Sequence, residues 1–330
     1  MTNANGLDIT QLPVQLERAQ RINEKLRREL GPTLCELLRE PAVVEIMLNP
    51  DGRLWVERLG GAMQSVGSMP AFQAEALMAT IASTLKTTIT RENPILECEL
   101  PLDGSRFEGL IPPVVIAPTF AIRRKALSIY TLEQYVTDGI MTESQRQRIA
   151  AAVDAHQNIL VAGGTGSGKT TLTNAILEYL ARSWPHERPI VIEDTAEIQC
   201  RAENVVILRA VDGVDMLRLL KASMRLRPTR IIVGEVRGPE ALALIKAWNT
   251  GHPGGVATVH ANDAQAALIR LESLVAEATF APTQKVIAEA VNVVVSIAKT
   301  SRGRRVQEVL NVSGYNGHAY TVSSSESAAS

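Results

Sequence analysis

Residues Gly163 to Thr170 read GGTGSGKT, and this stretch of the 330-residue sequence decides its fold. It matches G-x-x-x-x-G-K-[S/T], the pattern of a phosphate-binding P-loop. Asn158 to Ala162, directly before it, form an apolar run typical of a buried strand, and residues 172–180 repeat apolar side chains at helical spacing. Strand, glycine loop and helix therefore follow one another in the order that a P-loop requires.

The residue types of this loop suit a polyphosphate. Glycines let the backbone curl with its N–H groups turned inward, and the start of the following helix adds partial positive charge. Lys169 is predicted to reach the β- and γ-phosphates, and Thr170 to offer its hydroxyl to the Mg²⁺ that bridges them. We therefore predict that ATP and Mg²⁺ bind here. The predicted nucleotide-binding residues are Gly163, Gly164, Thr165, Gly166, Ser167, Gly168, Lys169, Thr170 and Thr171.

The composition is that of an ordinary globular protein, with 45% hydrophobic and 21% charged residues and a net charge of -1. This balance argues against strong direct nucleic-acid binding, because proteins that neutralise many phosphates carry a basic surplus. Two basic clusters, at residues 123–125 and 302–305, are interpreted as solvated faces or hairpin ends rather than as DNA sites. The three isolated cysteines form no C-x-x-C pair, so they predict neither a zinc module nor a disulfide framework.

The first eleven residues have neither a basic start nor an apolar run, so they do not resemble a secretory signal. No stretch approaches the roughly 20 consecutive apolar residues that cross a bilayer. We expect a cytoplasmic protein without a transmembrane segment of its own.

The pattern along the chain predicts an α/β protein of two domains. Residues 1–128 are predicted to form a smaller α+β domain with leading helices and a hairpin, since a turn at Asn49–Gly52 separates two strand-like runs. Residues 129–142 are predicted to be a linker, and 143–322 a P-loop domain whose continuous apolar runs are typical of parallel strands. The tail, residues 323–330, is predicted to be disordered because it is too polar and small to pack.

Two acidic segments follow predicted core strands. Arg230–Glu235 reads RIIVGE, a Walker B-like strand whose final Glu235 can orient or deprotonate the attacking water. Ile192–Glu197 reads IEDTAE and places Glu193 and Asp194 just past another strand. Whether Glu193 or Glu235 is the principal base stays open at this point. Thr170 and Glu235, the latter partly through water, are the predicted Mg²⁺ ligands, and Asp194 is a further candidate.

A fourth segment, TGHPGGVATVHAND at residues 250–263, places two of the five histidines around another predicted strand. His260 stands at the end of that strand, on the side where ligands bind in open α/β sheets. We predict that His260 senses the γ-phosphate or couples it to a neighbouring subunit.

In this order and spacing, the four segments resemble the Walker A, Asp, Walker B and His boxes of the secretion ATPase superfamily, which drives type II and type IV secretion and type IV pili. The resemblance covers roughly residues 40–300, because VVEIMLNPDGRLWVER and DGSRFEGLIPPV also resemble the amino-terminal domain of the type IV secretion branch. Within that branch the chain is most similar to the conjugal-transfer ATPases.

The resemblance implies a RecA-like P-loop domain, a PAS-like amino-terminal domain, and a homohexameric ring with nucleotide between the two domains and near the neighbouring subunit. In the superfamily, arginines of the amino-terminal domain and linker bring positive charge to the γ-phosphate, and the matching candidates here are Arg106, Arg123 and Arg124. Arg225, Arg227 and Arg237, around the Walker B strand, are further candidates. The implied partners are inner-membrane components of a type IV secretion or conjugation apparatus, which would hold the protein peripherally at that membrane.

We therefore expect a Mg²⁺-dependent ATPase, producing ADP and phosphate, whose ring powers type IV secretion, conjugative DNA transfer and pilus assembly. Two alternatives stay open. A RecA-like nucleic-acid motor would need stacking aromatics and a basic channel, whereas aromatics are 4% of the residues. A nucleotide-gated scaffold without appreciable turnover would not need an acid such as Glu235 beside the P-loop.

Overall fold

The computed structural model describes residues 12–59, 61–125, 129–211 and 213–324. The chain divides into two compact units, Met1–Leu127 and Ser128–Ser330. The sequence predicted a first domain ending at residue 128 and a linker over 129–142, whereas the structure groups residues 129–142 with the second unit. In the described part of the chain, no helix is long and apolar enough to span a bilayer.

The first unit combines helices with an antiparallel sheet. Its elements are α1 (Leu12–Leu37), β1 (Val43–Leu48), β2 (Arg53–Arg58), β3 (Gln64–Ser68), α2 (Ala71–Thr84), β4 (Ile95–Glu99), β5 (Arg106–Leu110) and β6 (Thr119–Arg123). The sheet has the order β3-β2-β1-β6-β5-β4. β1 and β2 pair antiparallel across the Asn49–Gly52 turn, which confirms the predicted hairpin. Helix α1 is broken at Gly31, where φ is 76°, directly before Pro32.

One face of this sheet forms the core of the first unit. Along β5 and β6 buried and half-buried residues alternate, as the two-residue period of a strand requires. The buried set includes Ile46, Phe107 and Ile122, which pack in one cluster with Leu77 of α2. The other face of the sheet carries the charged residues of the same strands.

The second unit is an α/β sandwich. Its elements are α3 (Leu132–Thr137), α4 (Glu143–Asp154), β7 (Ile159–Gly163), α5 (Lys169–Ser183), β8 (Pro189–Glu193), β9 (Val206–Arg209), α6 (Met216–Ser223), β10 (Arg230–Val233), α7 (Glu240–Asn249), β11 (Val256–His260), α8 (Ala264–Ala276), α9 (Gln284–Ala290), β12 (Val293–Thr300), β13 (Gly303–Tyr315) and β14 (Tyr320–Ser324). The sheet has the order β14-β13-β12-β7-β11-β10-β8-β9.

The strands from β12 to β9 in this order are parallel, as the sequence predicted. Core clusters cover both faces of the sheet: side chains of α3, α4 and α5 pack on one face, and those of α6 to α9 on the other. Because both faces are covered, successive residues of a strand such as β7 or β10 are all buried. This double burial explains why these strands read as continuous apolar runs.

Residues 129–142, predicted to be a linker, contain helix α3. The helix begins with a capping box, in which the Gln134 amide N–H donates to Thr131 Oγ1 at 3.2 Å and Thr131 N–H donates to Gln134 Oε1 at 2.8 Å. Leu132 and Tyr135 are buried in the same cluster as Ile149 of α4. The apolar repeat of a six-residue helix is too short to detect, so the Thr-x-x-Gln pair was the available signal.

The chain ends in the predicted antiparallel hairpin, β12–β13, followed by a strand that was not predicted. That strand, β14, includes Ser323 and Ser324, which the sequence assigned to a disordered tail; this part of the prediction was wrong. Asn311 and Leu310 of β13 pair with these two serines. The rest of the predicted tail, residues 325–330, lies outside the described residues.

The parallel register brings four strand ends to one edge of the sheet. Gly163 of β7 is the register partner of His260 of β11, and Val233 of β10 is the partner of Ile192 of β8 and of Ala257. The P-loop therefore lies at this carboxyl edge, together with the residues that follow the strands of the Asp, Walker B and His segments.

At the opposite edge, Arg230 is completely buried at the first residue of β10. Its guanidinium donates to the Glu187 carboxylate, to Val153 O at 3.0 Å and to Gly254 O at 3.3 Å. His156 Nε2 lies 2.7 Å from Glu187 Oε1 and 3.2 Å from Arg230 Nη2. This cluster joins the end of α4, the loop after α5 and the loop before β11.

We expect Arg230→Ala to lower the free energy of unfolding by about 3–5 kcal/mol, because the change removes a completely buried guanidinium and leaves the Glu187 carboxylate, whose side chain is 12% exposed, without its arginine. Chemical denaturation of both proteins measures the difference. Arg201→Ala, at an exposed position of the same unit, is the control and should change stability by less than about 0.5 kcal/mol. Equal effects of the two variants would contradict the role of Arg230.

Candidate nucleotide-binding site

The backbone of the P-loop requires glycine at three of its positions. Gly166 and Gly168 adopt the left-handed region, with φ of 67° and 98°. A Cβ on Gly163 would stand 2.4 Å from both Ile297 O and Ser167 Oγ. Larger residues would therefore be strained at 166 and 168 and would collide with their surroundings at 163.

The start of α5 is prepared for an anion. Its N-cap, Gly168, offers no side-chain hydrogen bond, and no acidic residue lies in the first turn. The first N–H groups of the helix are thus open to a ligand, on which the helix dipole places positive charge. Ser167 adds a buried hydroxyl that has no hydrogen-bond partner within the described protein atoms. Both features fit a phosphate seated in the loop.

The two polar residues that close the motif point into the site. Lys169 Nζ donates to Gly163 O at 2.8 Å and to Gly164 O at 3.1 Å, so the side chain spans the loop. Thr170 Oγ1 donates to Glu197 Oε2 at 3.0 Å. The remaining predicted binding residues, Thr165 and Thr171, lie in the loop and in the first turn of α5.

A cleft with an empty volume of about 290 Å³ lies beside Thr170 at the carboxyl edge. Its lining includes Glu193, Asp194, Glu197, Glu235 and Arg237. The structure therefore brings the predicted acids of the Asp and Walker B segments to the P-loop. Glu197 was not selected from the sequence, although its place as the third acid of IEDTAE was a signal.

Asn174 of α5 also holds the acidic loop, residues 193–199, through two hydrogen bonds. Its Nδ2 donates to Glu197 O at 3.2 Å, and its Oδ1 accepts the Gln199 N–H at 2.9 Å. Together with the hydrogen bond between Thr170 and Glu197, these contacts hold the acidic loop against the P-loop helix.

Glu193 is 1% exposed and lies beneath the cleft. Its Oε2 accepts the backbone N–H groups of Glu197 at 3.0 Å and Ile198 at 2.9 Å. These bonds fix the turn that carries Asp194 and Glu197. The geometry suits a carboxylate that shapes the loop.

The position before Glu235 is Gly234, where a Walker B strand more usually has aspartate. A Cβ on Gly234 would stand 3.1 Å from Glu193 Cβ and 3.6 Å from Ile198 Cγ1. Glu193, on the neighbouring strand, therefore leaves little room for a side chain at 234.

Glu235 forms a network of ion pairs with Arg237 and Asp194 across the cleft. Arg237 donates to Glu235 Oε2 and to Asp194 Oδ2, each at 2.7 Å. Burial acts to raise the pKa of Glu235, but the Arg237 hydrogen bond and the charges of Arg237, Lys169 and His260 outweigh it and lower that pKa. Glu235 is therefore ionised and lies within the electrostatic reach of the P-loop lysine.

The predicted residues His260, Arg225 and Arg227 lie at different edges of the sheet. His260 is exposed at the end of β11, beside the P-loop strand, so the structure brings it to the site. Arg225 and Arg227 lie exposed in the turn before β10, at the amino-terminal edge, away from the cleft.

In the first unit, Arg106 and Arg123 are register partners on adjacent strands β5 and β6. The same row continues to Glu99 on one side and to Glu45 on the other. The two arginines therefore stand side by side in the sheet, each with a glutamate on its other side.

Arg124 is separated from that pair, although it is the next residue along the chain. Its guanidinium donates to the backbone carbonyl of Glu40, and its own N–H donates to Val44 O at 2.9 Å. The structure thus groups two of the three predicted arginines and gives the third a structural hydrogen bond within the first unit.

The oxygen atoms of the cleft suit magnesium. They are the Thr170 hydroxyl and the carboxylates of Asp194, Glu197 and Glu235. Mg²⁺ prefers oxygen ligands and is usually held by one or two carboxylates together with substrate phosphates. Within the described ranges, no group of three or more His, Cys, Asp or Glu residues is placed so that it could hold a metal ion by itself.

A P-loop at the carboxyl edge of a parallel sheet, with acids from two further strands beside it, defines a P-loop protein of the α/β class. The Type II/IV secretion system protein family matches residues 31–319, and the chain belongs to that family. This match confirms the family predicted from the four motifs.

Two relatives match almost the whole chain. The probable conjugal transfer protein TrbB of Sinorhizobium fredii is 51% identical over 312 residues, which cover 94% of this chain and 96% of the relative. The conjugal transfer protein TrbB of Rhizobium radiobacter is 52% identical over 306 residues, covering 93% and 95%.

Solved structures of the same class share the fold. The ATPase DotB of Legionella pneumophila has a TM-score of 0.61 at 18% identity, covering 91% of this chain and 81% of DotB. The pilus retraction motor PilT with bound ADP has a TM-score of 0.59 at 18% identity, covering 88% and 80%. These likenesses confirm the predicted α/β P-loop architecture.

Proposed function

We propose that this chain is a Mg²⁺-dependent ATPase that works as a homohexameric ring motor of a type IV secretion or conjugation apparatus. The observation that carries the proposal is the shared edge at which the P-loop meets the acidic cleft, with the Thr170 hydroxyl 3.0 Å from Glu197. The names of the TrbB relatives support conjugal transfer as the process. The second unit would be RecA-like and the first PAS-like.

In the proposed reaction, the P-loop holds the nucleotide and aligns its phosphates. The N–H groups of the loop and of the first turn of α5 bind phosphate oxygens, and Lys169 places its charge on the β- and γ-phosphates. Thr170, Glu235 and Asp194 would hold Mg²⁺, partly through water. The ion would neutralise charge that develops on the transferred phosphoryl group.

We propose Glu235, rather than Glu193, as the base that orients and deprotonates the attacking water. Glu235 is ionised and half-buried at the cleft. Glu193, by contrast, is buried and accepts two backbone N–H groups. Arg237 would position Glu235 through their 2.7 Å hydrogen bond. The water proton would pass to Glu235 while the water oxygen bonds to the γ-phosphorus. The bond between the γ-phosphorus and the oxygen that bridges it to the β-phosphate would break, releasing ADP.

Positive charge beyond the P-loop would come from Arg106 and Arg123. They are register partners on β5 and β6, which would let both guanidinium groups meet one anion. Arg124 would instead stabilise the first unit through Glu40. His260, which is the register partner of Gly163 of the P-loop, would respond to the γ-phosphate.

We also propose that partner proteins hold the ring at the inner membrane. The family and the relatives concern secretion and conjugal transfer, which are processes at a membrane. The protein would then act from the cytoplasmic side, with ATP-driven movements of its ring as the output.

The test is the ATP turnover per subunit, measured with Mg²⁺ over a range of protein concentrations. The rate is expected to rise with concentration, because sites completed by neighbouring subunits require assembly. Lys169→Ala is expected to abolish turnover, since the lysine charge on the β- and γ-phosphates is lost. Lys246→Ala, at an exposed lysine of α7, is the control and should match the wild type. Bound ATP without turnover at any concentration would contradict the motor and favour the scaffold.

A further inference from the structure

The end of the β12–β13 hairpin carries three arginines, Arg302, Arg304 and Arg305. The hairpin turns at Gly303, whose φ of 99° requires glycine. Arg302 is exposed at the turn, whereas Arg304 and Arg305 extend to different parts of the second unit. The sequence suggested only a solvated hairpin end for this cluster.

Arg304 lies against the P-loop. Its Nε donates to Gly166 O at 3.1 Å, across 138 positions of the chain. Its Cδ stands 3.0 Å from the place that a Cβ on Gly168 would occupy. The stem of the arginine therefore lies beside the loop while its guanidinium fixes one carbonyl.

The Gly166 carbonyl is bonded into the same planar unit as the next N–H group, that of Ser167. In a trans peptide the C=O and N–H point in opposite directions. Because Arg304 holds the carbonyl on the hairpin side, the Ser167 N–H is directed across the loop and donates to Gly164 O at 3.3 Å. One side chain thus sets the direction of a donor in the phosphate-binding loop.

The backbone of the hairpin that carries Arg304 is held in place by contacts with the rest of the second unit. β12 pairs with the P-loop strand β7. On β13, the Arg305 guanidinium donates to Gly139 O, and Val306 N–H donates to Ile140 O at 2.8 Å. Arg304 and Arg305 therefore connect the P-loop with the turn between α3 and α4.

We propose that Arg304 is a positioning residue for the nucleotide phosphates. Through the Gly166 carbonyl it fixes the peptide between residues 166 and 167, and with it the turn that the Ser167–Gly164 hydrogen bond closes, so that the loop keeps its phosphate-binding conformation. Arg304 does this without touching the nucleotide. The proposal rests on the proposed function, since it assigns Arg304 to the same phosphate site.

The test compares wild type, Arg304→Ala and Arg304→Lys by calorimetric titration with Mg·ADP and with pyrophosphate, which has no base or ribose. Arg304→Ala is expected to weaken both ligands by about tenfold, or about 1.4 kcal/mol, because phosphate donors lose their alignment. The KM for ATP should rise by the same factor while kcat changes less than about threefold. Arg304→Lys should recover part of the affinity, since it retains a charged donor.

Arg302→Ala on the same hairpin is the matched control and should bind both ligands as the wild type does. The unliganded Tm of Arg304→Ala should stay within about 2 °C of the wild type, which separates positioning from hairpin packing. Unchanged affinities in Arg304→Ala, or a loss seen with ADP but not with pyrophosphate, would overturn the proposal. If the wild type itself bound neither ligand, the proposed function would fail first, and this inference with it.

Discussion

Glu235→Gln is expected to lower ATP turnover by about 10²- to 10⁴-fold while the Kd for ATP stays within about threefold of the wild type. Glutamine keeps the oxygen that accepts the 2.7 Å hydrogen bond from Arg237, so the shape of the cleft is preserved. It cannot take a proton from water. In the wild type, the Arg237 hydrogen bond and nearby charges keep the pKa of Glu235 low, so the base is charged throughout the neutral range. Steady-state turnover and equilibrium ATP binding measure the two quantities.

Two further substitutions serve as the control and as the test of the alternative base. Glu203→Gln, at an exposed glutamate of the same unit, should leave turnover unchanged. Glu193→Gln should lower the Tm, because the buried carboxylate loses charge where it accepts two backbone N–H groups. If Glu235→Gln turned over normally and Glu193→Gln were inactive at an unchanged Tm, the base would be Glu193.

Arg123→Ala is expected to lower turnover by about 10³-fold or more, which is the effect of removing an arginine that neutralises charge on a transferred phosphoryl group. Arg123→Lys should restore little of it, because lysine lacks the planar fork that binds phosphate through two donors. Turnover is measured at a protein concentration at which the wild type is fully assembled. Arg91→Ala, an exposed arginine of the same unit, is the control.

Mixing two inactive variants shows which subunit Arg123 serves. Arg123→Ala retains its P-loop, and Lys169→Ala retains its arginine. If the arginine acts on a neighbour, mixed rings contain some complete sites and activity returns on mixing. If it acts within its own subunit, the mixture stays inactive. Turnover of Arg123→Ala within about threefold of the wild type would contradict a role for this arginine in hydrolysis.

Features of the fold that depend on local requirements could be predicted from the sequence. Gly166 and Gly168 stand where φ is positive, so the glycines of the motif directly indicate the backbone conformation of the loop. The parallel strands are buried on both faces, so their apolar runs are continuous. Since parallel strands share one carboxyl edge, the grouping of Glu193, Asp194 and Glu235 followed from the same pattern.

Features that depend on contacts between distant segments could not be predicted. Arg304 meets Gly166 only because β12 pairs with the P-loop strand. The hydrogen bonds of Arg237 to both Asp194 and Glu235 depend on the turns that follow two separate strands. Arg106, Arg123 and Arg124 looked equivalent in sequence, because strand register, which separates Arg124 from the other two, is not written in the local pattern.

The fit of Glu193 against Gly234 means that these two positions share one small volume. An aspartate at 234 would bring its Cβ to 3.1 Å from Glu193 Cβ, so the side chain of Glu193 would have to shift, and the loss of Glu193 would release the turn that carries Asp194 and Glu197. The two sites are therefore expected to change together during evolution. Among its relatives, an acidic residue at the position of Gly234 is expected together with a shorter side chain at the position of Glu193.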